Sequence, residues 1–95
     1  MHPPISQYEP ALTWDILRFE RESHHYDRKS ARLAPKELAR HMSAFANADG
    51  GVIALGIEDA GEVTGLESRD GAENEFRQAP TTYLEYVPEY NIELL

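Results

Sequence analysis

The sequence predicts an α+β fold, a small mostly antiparallel sheet with helices packed on it, and three observations carry that expectation. Pro35 pre-sets a first helical turn, and Leu38, Met42, Phe45 and Ala46 then recur at i, i+4, i+7 and i+8 as one apolar stripe. Residues 52–57, Val-Ile-Ala-Leu-Gly-Ile, form a continuous apolar run, the pattern of a strand covered on both faces and central in its sheet. Residues 58–62, Glu-Asp-Ala-Gly-Glu, make a turn with a glycine for positive φ. Residues 63–66 then begin a partner strand, so the pair reads as a β-hairpin.

The remaining elements follow in chain order. Pro3, Pro4 and Pro10 prevent a helix over residues 1–12, which read as an extended arm, and a single domain is expected over residues 13–95. Thr13 is placed to cap a short helix reaching about Arg21, with Trp14, Ile16, Leu17 and Phe19 as its apolar side and Trp14 as a core anchor. Tyr26 is the main strand former in a strand over residues 25–30. The Pro35 helix should stop near Asn47, where Asn-Ala-Asp-Gly-Gly supplies residues tolerant of the left-handed region. Beyond Glu67 the chain returns to helix, with Ala72, Phe76 and Ala79 inward. Pro80 breaks or restarts that helix before Tyr83, Leu84 and Val87, and Pro88 ends it. Residues 90–95 read as a final strand that runs to the last residue, so the domain is expected to be truncated at its C-terminal end or completed by a partner chain. The expected partners are thus a second copy in a homodimer or a missing C-terminal remainder.

Composition narrows the function classes. The chain has 95 residues and no cysteine, which excludes disulfide frameworks, thiolate zinc sites and cysteine nucleophiles. No apolar run approaches the roughly 20 residues of a membrane span, and the Met-His-Pro-Pro start lacks the pattern of a signal peptide, so a cytoplasmic, membrane-free protein is expected. Nine Lys and Arg against seventeen Asp and Glu give a net charge of -8, which argues against coating nucleic acid through bulk positive charge. The cations are unevenly spread: Arg18, Arg21, Arg28, Lys29, Arg32, Lys36 and Arg40 fall within residues 18–40, beside His24, His25 and His41, whereas acids dominate from Glu58 onward. One face can therefore be positive, although an ordinary solvated surface gives the same pattern. No Gly-Lys-Ser/Thr follows Gly50, Gly51 or Gly56, so a P-loop is absent and these glycines read as caps and close-packing positions. His24 and His25 are adjacent and point to opposite sides of a strand, which disfavours joint metal binding.

Residues 43–66, Ser-Ala-Phe-Ala-Asn-Ala-Asp-Gly-Gly-Val-Ile-Ala-Leu-Gly-Ile-Glu-Asp-Ala-Gly-Glu-Val-Thr-Gly-Leu, order their parts as helix end, Asn, Gly-Gly, buried strand, Gly, acid pair, Gly, short strand, Gly. This order resembles the Schlafen-type AlbA-like domain. A second hallmark of that family is a Glu, a second Glu five residues later and a Lys two further on; Glu22, Asp27 and Lys29 stand at those offsets. The second acid is Asp in place of Glu, and Arg28 stands where the family usually has an aromatic or apolar residue.

In the larger bacterial branch the resemblance implies a nucleic-acid-binding domain of a transcriptional regulator, with DNA or RNA as partner. Arg28, Lys29, Arg32, Lys36 and Arg40 would contact phosphates, and binding needs no cofactor. In the Schlafen branch it implies a metal-dependent endoribonuclease. Glu22, Asp27 and Asp59 would then hold Mg²⁺ or Mn²⁺ and be the catalytic acids, with Lys29 on phosphate; Glu58 stays open as the alternative to Asp59. Five residues apart, Glu22 and Asp27 share a face of neither a regular strand nor a helix, so such a site requires a break between them. The plainer alternative makes Glu22 and Asp27 ion-pair partners of Arg21, Arg28 or Lys29, and Glu58 and Asp59 turn residues. A third reading is an assembly module that pairs through its terminal strand.

Overall fold

A computed structural model describes residues 14–23 and 25–94. The arm at 1–12, the Thr13 cap, the packing of Trp14, and His24 and Leu95 lie outside the described residues. Five elements follow in order: α1 (Trp14–Phe19), β1 (Tyr26–Lys29), α2 (Pro35–Asn47), β2 (Val52–Leu55) and α3 (Ala72–Tyr83).

β1 and β2 form a two-stranded parallel sheet in the register Tyr26 with Val52, Asp27 with Ile53, Arg28 with Ala54 and Lys29 with Leu55. This corrects the expected antiparallel sheet. Strands that run the same way need a long crossover, and α2 is that crossover, so the order strand, helix, strand outweighs the hairpin signal after β2. The hairpin reduces to one antiparallel bridge, Ile57 with Val63. Its turn closes as expected, with the Glu58 amide donating to Glu62 O at 2.8 Å and the Gly61 amide to Glu58 O at 2.8 Å. The ladder stops because Thr64 and Gly65 both turn their amides onto the Gly56 carbonyl, each at 2.9 Å. Among the described residues the sheet has two strands, so β2 is not central there, and residues 90–94 form no strand.

β2 is nevertheless covered on both faces, and its period of two sorts the core. Val52 and Ala54 join Leu17, Tyr26 and Ile57 beneath α1, with Ile16 and Val63 at the margin. Ile53 and Leu55 pack on the other side against Leu38 and Ala39 of α2 and Ala72, Phe76 and Ala79 of α3. The domain is thus three layers, with α1 on one face of the sheet and the α2–α3 pair on the other. Tyr26 is fully buried, and its hydroxyl donates to the Leu17 carbonyl, which ties α1 to the sheet. Burial pushes its hydroxyl pKa up, so the phenol stays a donor.

α2 has the expected bounds. Pro35 opens it, and the amides of Glu37 and Leu38 donate to Ala34 O. At its end Asp49 (φ 73°) and Gly50 (φ 92°) take the left-handed turn. Its inner stripe is Leu38 and Ala39, with Met42 and Phe45 half-buried, while Ala46 is exposed. In α1, Phe19 is likewise exposed, with the Arg18 guanidinium 4.8 Å from its ring centre. α3 runs through Pro80 without a break. The Pro80 ring is fully buried, and the helix ends at Tyr83, well before Pro88, where Leu84 turns extended.

Gly56 permits a close backbone approach: a Cβ there would stand 2.9 Å from Gly65 Cα and C, at φ 92°. Gly50 has the same φ but open space around it. In urea unfolding, Gly50→Ala should cost about 1–2 kcal/mol from backbone strain. Gly56→Ala should cost about 1–3 kcal/mol more from the added clash.

Candidate nucleic-acid interface

α1 ends at Phe19 and β1 begins at Tyr26, so Glu22 lies in the link and Asp27 in the strand. That supplies the break that a spacing of five requires. The Ser23 amide donates to Tyr26 O at 2.9 Å, folding the link back, and Glu22 Oε2 accepts from the Arg28 amide at 3.2 Å. The carboxyls of Glu22 and Asp27 meet: a hydrogen bond with Asp27 raises the Glu22 pKa, with partial desolvation and the Asp27 charge acting the same way. The Arg28 amide and Lys29 oppose that shift. Asp27 in turn pairs with Lys29 Nζ at 3.4 Å and lies 3.9 Å from His41 Nδ1. The expected ion-pair role of these acids is therefore present for Asp27 and Lys29.

His41 was not legible as part of this cluster. Asp27 and Lys29 share the face of β1 that looks toward α2, and it is the crossover that carries His41 over Asp27. The one signal available was that His41 follows Pro35 by six positions on a helix destined to cover the sheet.

Asp59 lies on the turn after β2 and is exposed, and its backbone carbonyl is 3.5 Å from Arg28 Nη2. Its neighbour Glu58 pairs with Arg32 at 3.4 Å. Among the described residues no group of three or more His, Asp or Glu side chains is arranged to hold a metal ion. Glu22 and Asp27 thus come together at the start of β1, while Asp59 lies on the turn after β2.

The five early cations divide. The Arg28 guanidinium donates to the Glu20 carbonyl and stacks 5.9 Å from the Tyr26 ring centre, so it is committed to holding the α1 link against β1. Lys29 is half-buried beside Asp27. Arg32, Lys36 and Arg40 are exposed, Lys36 and Arg40 one turn apart on α2. Arg32 and Arg40 each touch one acid, Glu58 and Glu37, in exposed pairs of small worth. His25 Nδ1 lies 3.5 Å from Gly50 O, beside the glycine turn.

A three-layer domain with paired acids and a row of outward cations beside a parallel strand pair is the class that this geometry defines. Residues 22–95 match the model of the family described as Schlafen, AlbA_2, and the chain belongs to that family. The match begins at Glu22, the first acid of the sequence hallmark, and includes the whole Gly-Gly strand block. No curated protein and no solved structure matches the chain at a significant level. No helix among the described residues is long and apolar enough to cross a membrane.

The raised Glu22 pKa gives a signed expectation. Between the ordinary glutamate value and its own, folded Glu22 keeps a proton that the unfolded chain has lost, so its contribution to stability falls as pH rises through that window. Thermal melts from about pH 4 to pH 7 should show a smaller loss for Glu22→Gln than for the parent chain.

Proposed function

We propose that this chain is a nucleic-acid-binding domain of a bacterial-type regulator, gripping the phosphate backbone through Arg32, Lys36 and Arg40 with Lys29 at the edge of the same surface. The observation that carries this reading is the division of the cations. Arg28 is held by the domain's own carbonyls, while Arg32, Lys36 and Arg40 project to solvent around the start of α2. Membership of the Schlafen, AlbA_2 family supports it. Phosphate contacts of this kind give affinity with little base discrimination. The net charge of -8 keeps that affinity modest and sensitive to salt.

Fluorescence anisotropy with labelled DNA and RNA, titrated from about 50 to 200 mM salt, tests it. The plot of log affinity against log salt should flatten by about one unit for each of Arg32→Ala, Lys36→Ala and Arg40→Ala. An unchanged slope in the triple variant would remove this surface from binding.

A second reading, a divalent-metal-dependent endoribonuclease on Glu22, Asp27 and Asp59, is favoured by one observation, the meeting of the Glu22 and Asp27 carboxyls. Asp59 stands outside that pair. Bound Mg²⁺ or Mn²⁺ would supply charge stabilisation at a phosphodiester. Structured RNA incubated with the chain in Mn²⁺ should stay intact if binding is the whole activity. Cleavage abolished by both EDTA and Asp27→Ala would instead establish the enzyme.

A further inference from the structure

At the carboxyl ends of β1 and β2 a cavity of about 260 Å³ is lined by Lys29, Ser30, Arg32, Leu33, Glu58 and Asp59. Parallel strands bring their last residues, and the loops that follow, to one rim, which is where open parallel sheets receive ligands. Two cations and two acids line it, so an anion entering meets attraction and repulsion from the same wall. The two acids differ in how firmly they are held. Asp59 is exposed on the turn. The Glu58 side chain is only 24% exposed, and both its oxygens are engaged: Oε1 lies 3.4 Å from Arg32 Nη2, and Oε2 accepts from Thr64 Oγ1 at 2.8 Å. Thr64 is itself fixed, its amide donating to Gly56 O at 2.9 Å. Glu58 is therefore anchored to the loop, whereas the Arg32 side chain, 83% exposed, is free to change partners.

Resting on the nucleic-acid reading above, we propose that this cavity receives one backbone phosphate of the bound nucleic acid, and that Glu58 is a built-in competitor for Arg32 that the phosphate displaces. The geometry favours exchange. Glu58 offers the guanidinium one oxygen at 3.4 Å, while a phosphodiester offers two oxygens in the planar arrangement that Arg binds best. Lys29, lining the same cavity and paired with Asp27 at 3.4 Å, adds a second cationic group to that wall. Arg32 stays paired whether or not nucleic acid is present, and Glu58 sets how much affinity the exchange yields.

The test is a double-mutant cycle read by anisotropy with labelled DNA and with labelled RNA at low salt, on chains whose thermal melts show them folded. Glu58→Gln keeps the oxygen that Thr64 bonds and removes the charge, and should bind about two- to fivefold tighter than the parent. Arg32→Ala should bind more weakly, and the gain from Glu58→Gln should vanish in the Arg32→Ala background. Parent binding with no gain from Glu58→Gln overturns the competitor role and leaves the nucleic-acid reading standing. A gain that persists undiminished without Arg32 also overturns it, because it then reports only the change in net charge. No binding by the parent or by Glu58→Gln overturns both readings together.

Discussion

Parallel pairing of β1 with β2 is the constraint on which the rest of the structure depends. Strands that run the same way cannot be joined by a tight turn, so a ladder of four residue pairs dictates that α2 lies across the sheet. The alternation along each strand then assigns every side chain to a layer. Tyr26 goes under α1, where its hydroxyl holds the Leu17 carbonyl, and Asp27 goes under α2, where His41 waits. A slip of one residue would exchange these faces, placing a carboxylate against Leu17 and a phenol against His41. Core and acid cluster are two results of the same register.

Much of this was legible, and the parts that were not share a cause. The Pro35 helix was readable to its ends because proline, a periodic stripe and a glycine turn all act within one local segment. The inward positions Ala72, Phe76 and Ala79 of α3 were readable for the same reason. Strand direction was not, because it depends on which distant segment supplies the partner. The turn at residues 58–62 is real, yet the chain beyond it wraps onto Gly56 and leaves only the Ile57–Val63 bridge. Pro80 misled in a different way: a proline costs one helical hydrogen bond, and the full burial of its ring offsets that cost. Alternation at the chain's end marked Ile92 and Leu94 as strand residues, but no partner strand lies there among the described residues and both are exposed.

At the site, the approach of Glu22 to Asp27 followed from family resemblance, since neither strand nor helix periodicity unites them. What sequence could not separate was one cation from another. Arg28 and Arg32 look alike in a charge count, but alternation turns Arg28 back toward the α1 link, whereas Arg32 sits past the strand end and projects outward. A net charge of -8 describes the whole chain poorly, because the early cations fall within residues 18–40 while acids dominate from Glu58 onward.

The Gly56 carbonyl accepts from the amides of Thr64 and Gly65, with the Thr64 hydroxyl 3.4 Å away. Residues 57–63, which carry both Glu58 and Asp59, are closed at that atom and held to the α1 side by buried Ile57 and by Arg18 Nε, which donates to Gly61 O at 2.7 Å. Releasing the Gly56 carbonyl alone would loosen Thr64 and Gly65 and leave the acidic wall of the cavity held by Ile57 and Arg18. In hydrogen exchange, the amides of Thr64 and Gly65 would share one opening free energy, below that of the sheet. The two acids would not share that opening, because their segment is tied to α1 as well as to Gly56, and the acidic wall of the cavity opens with the α1 layer.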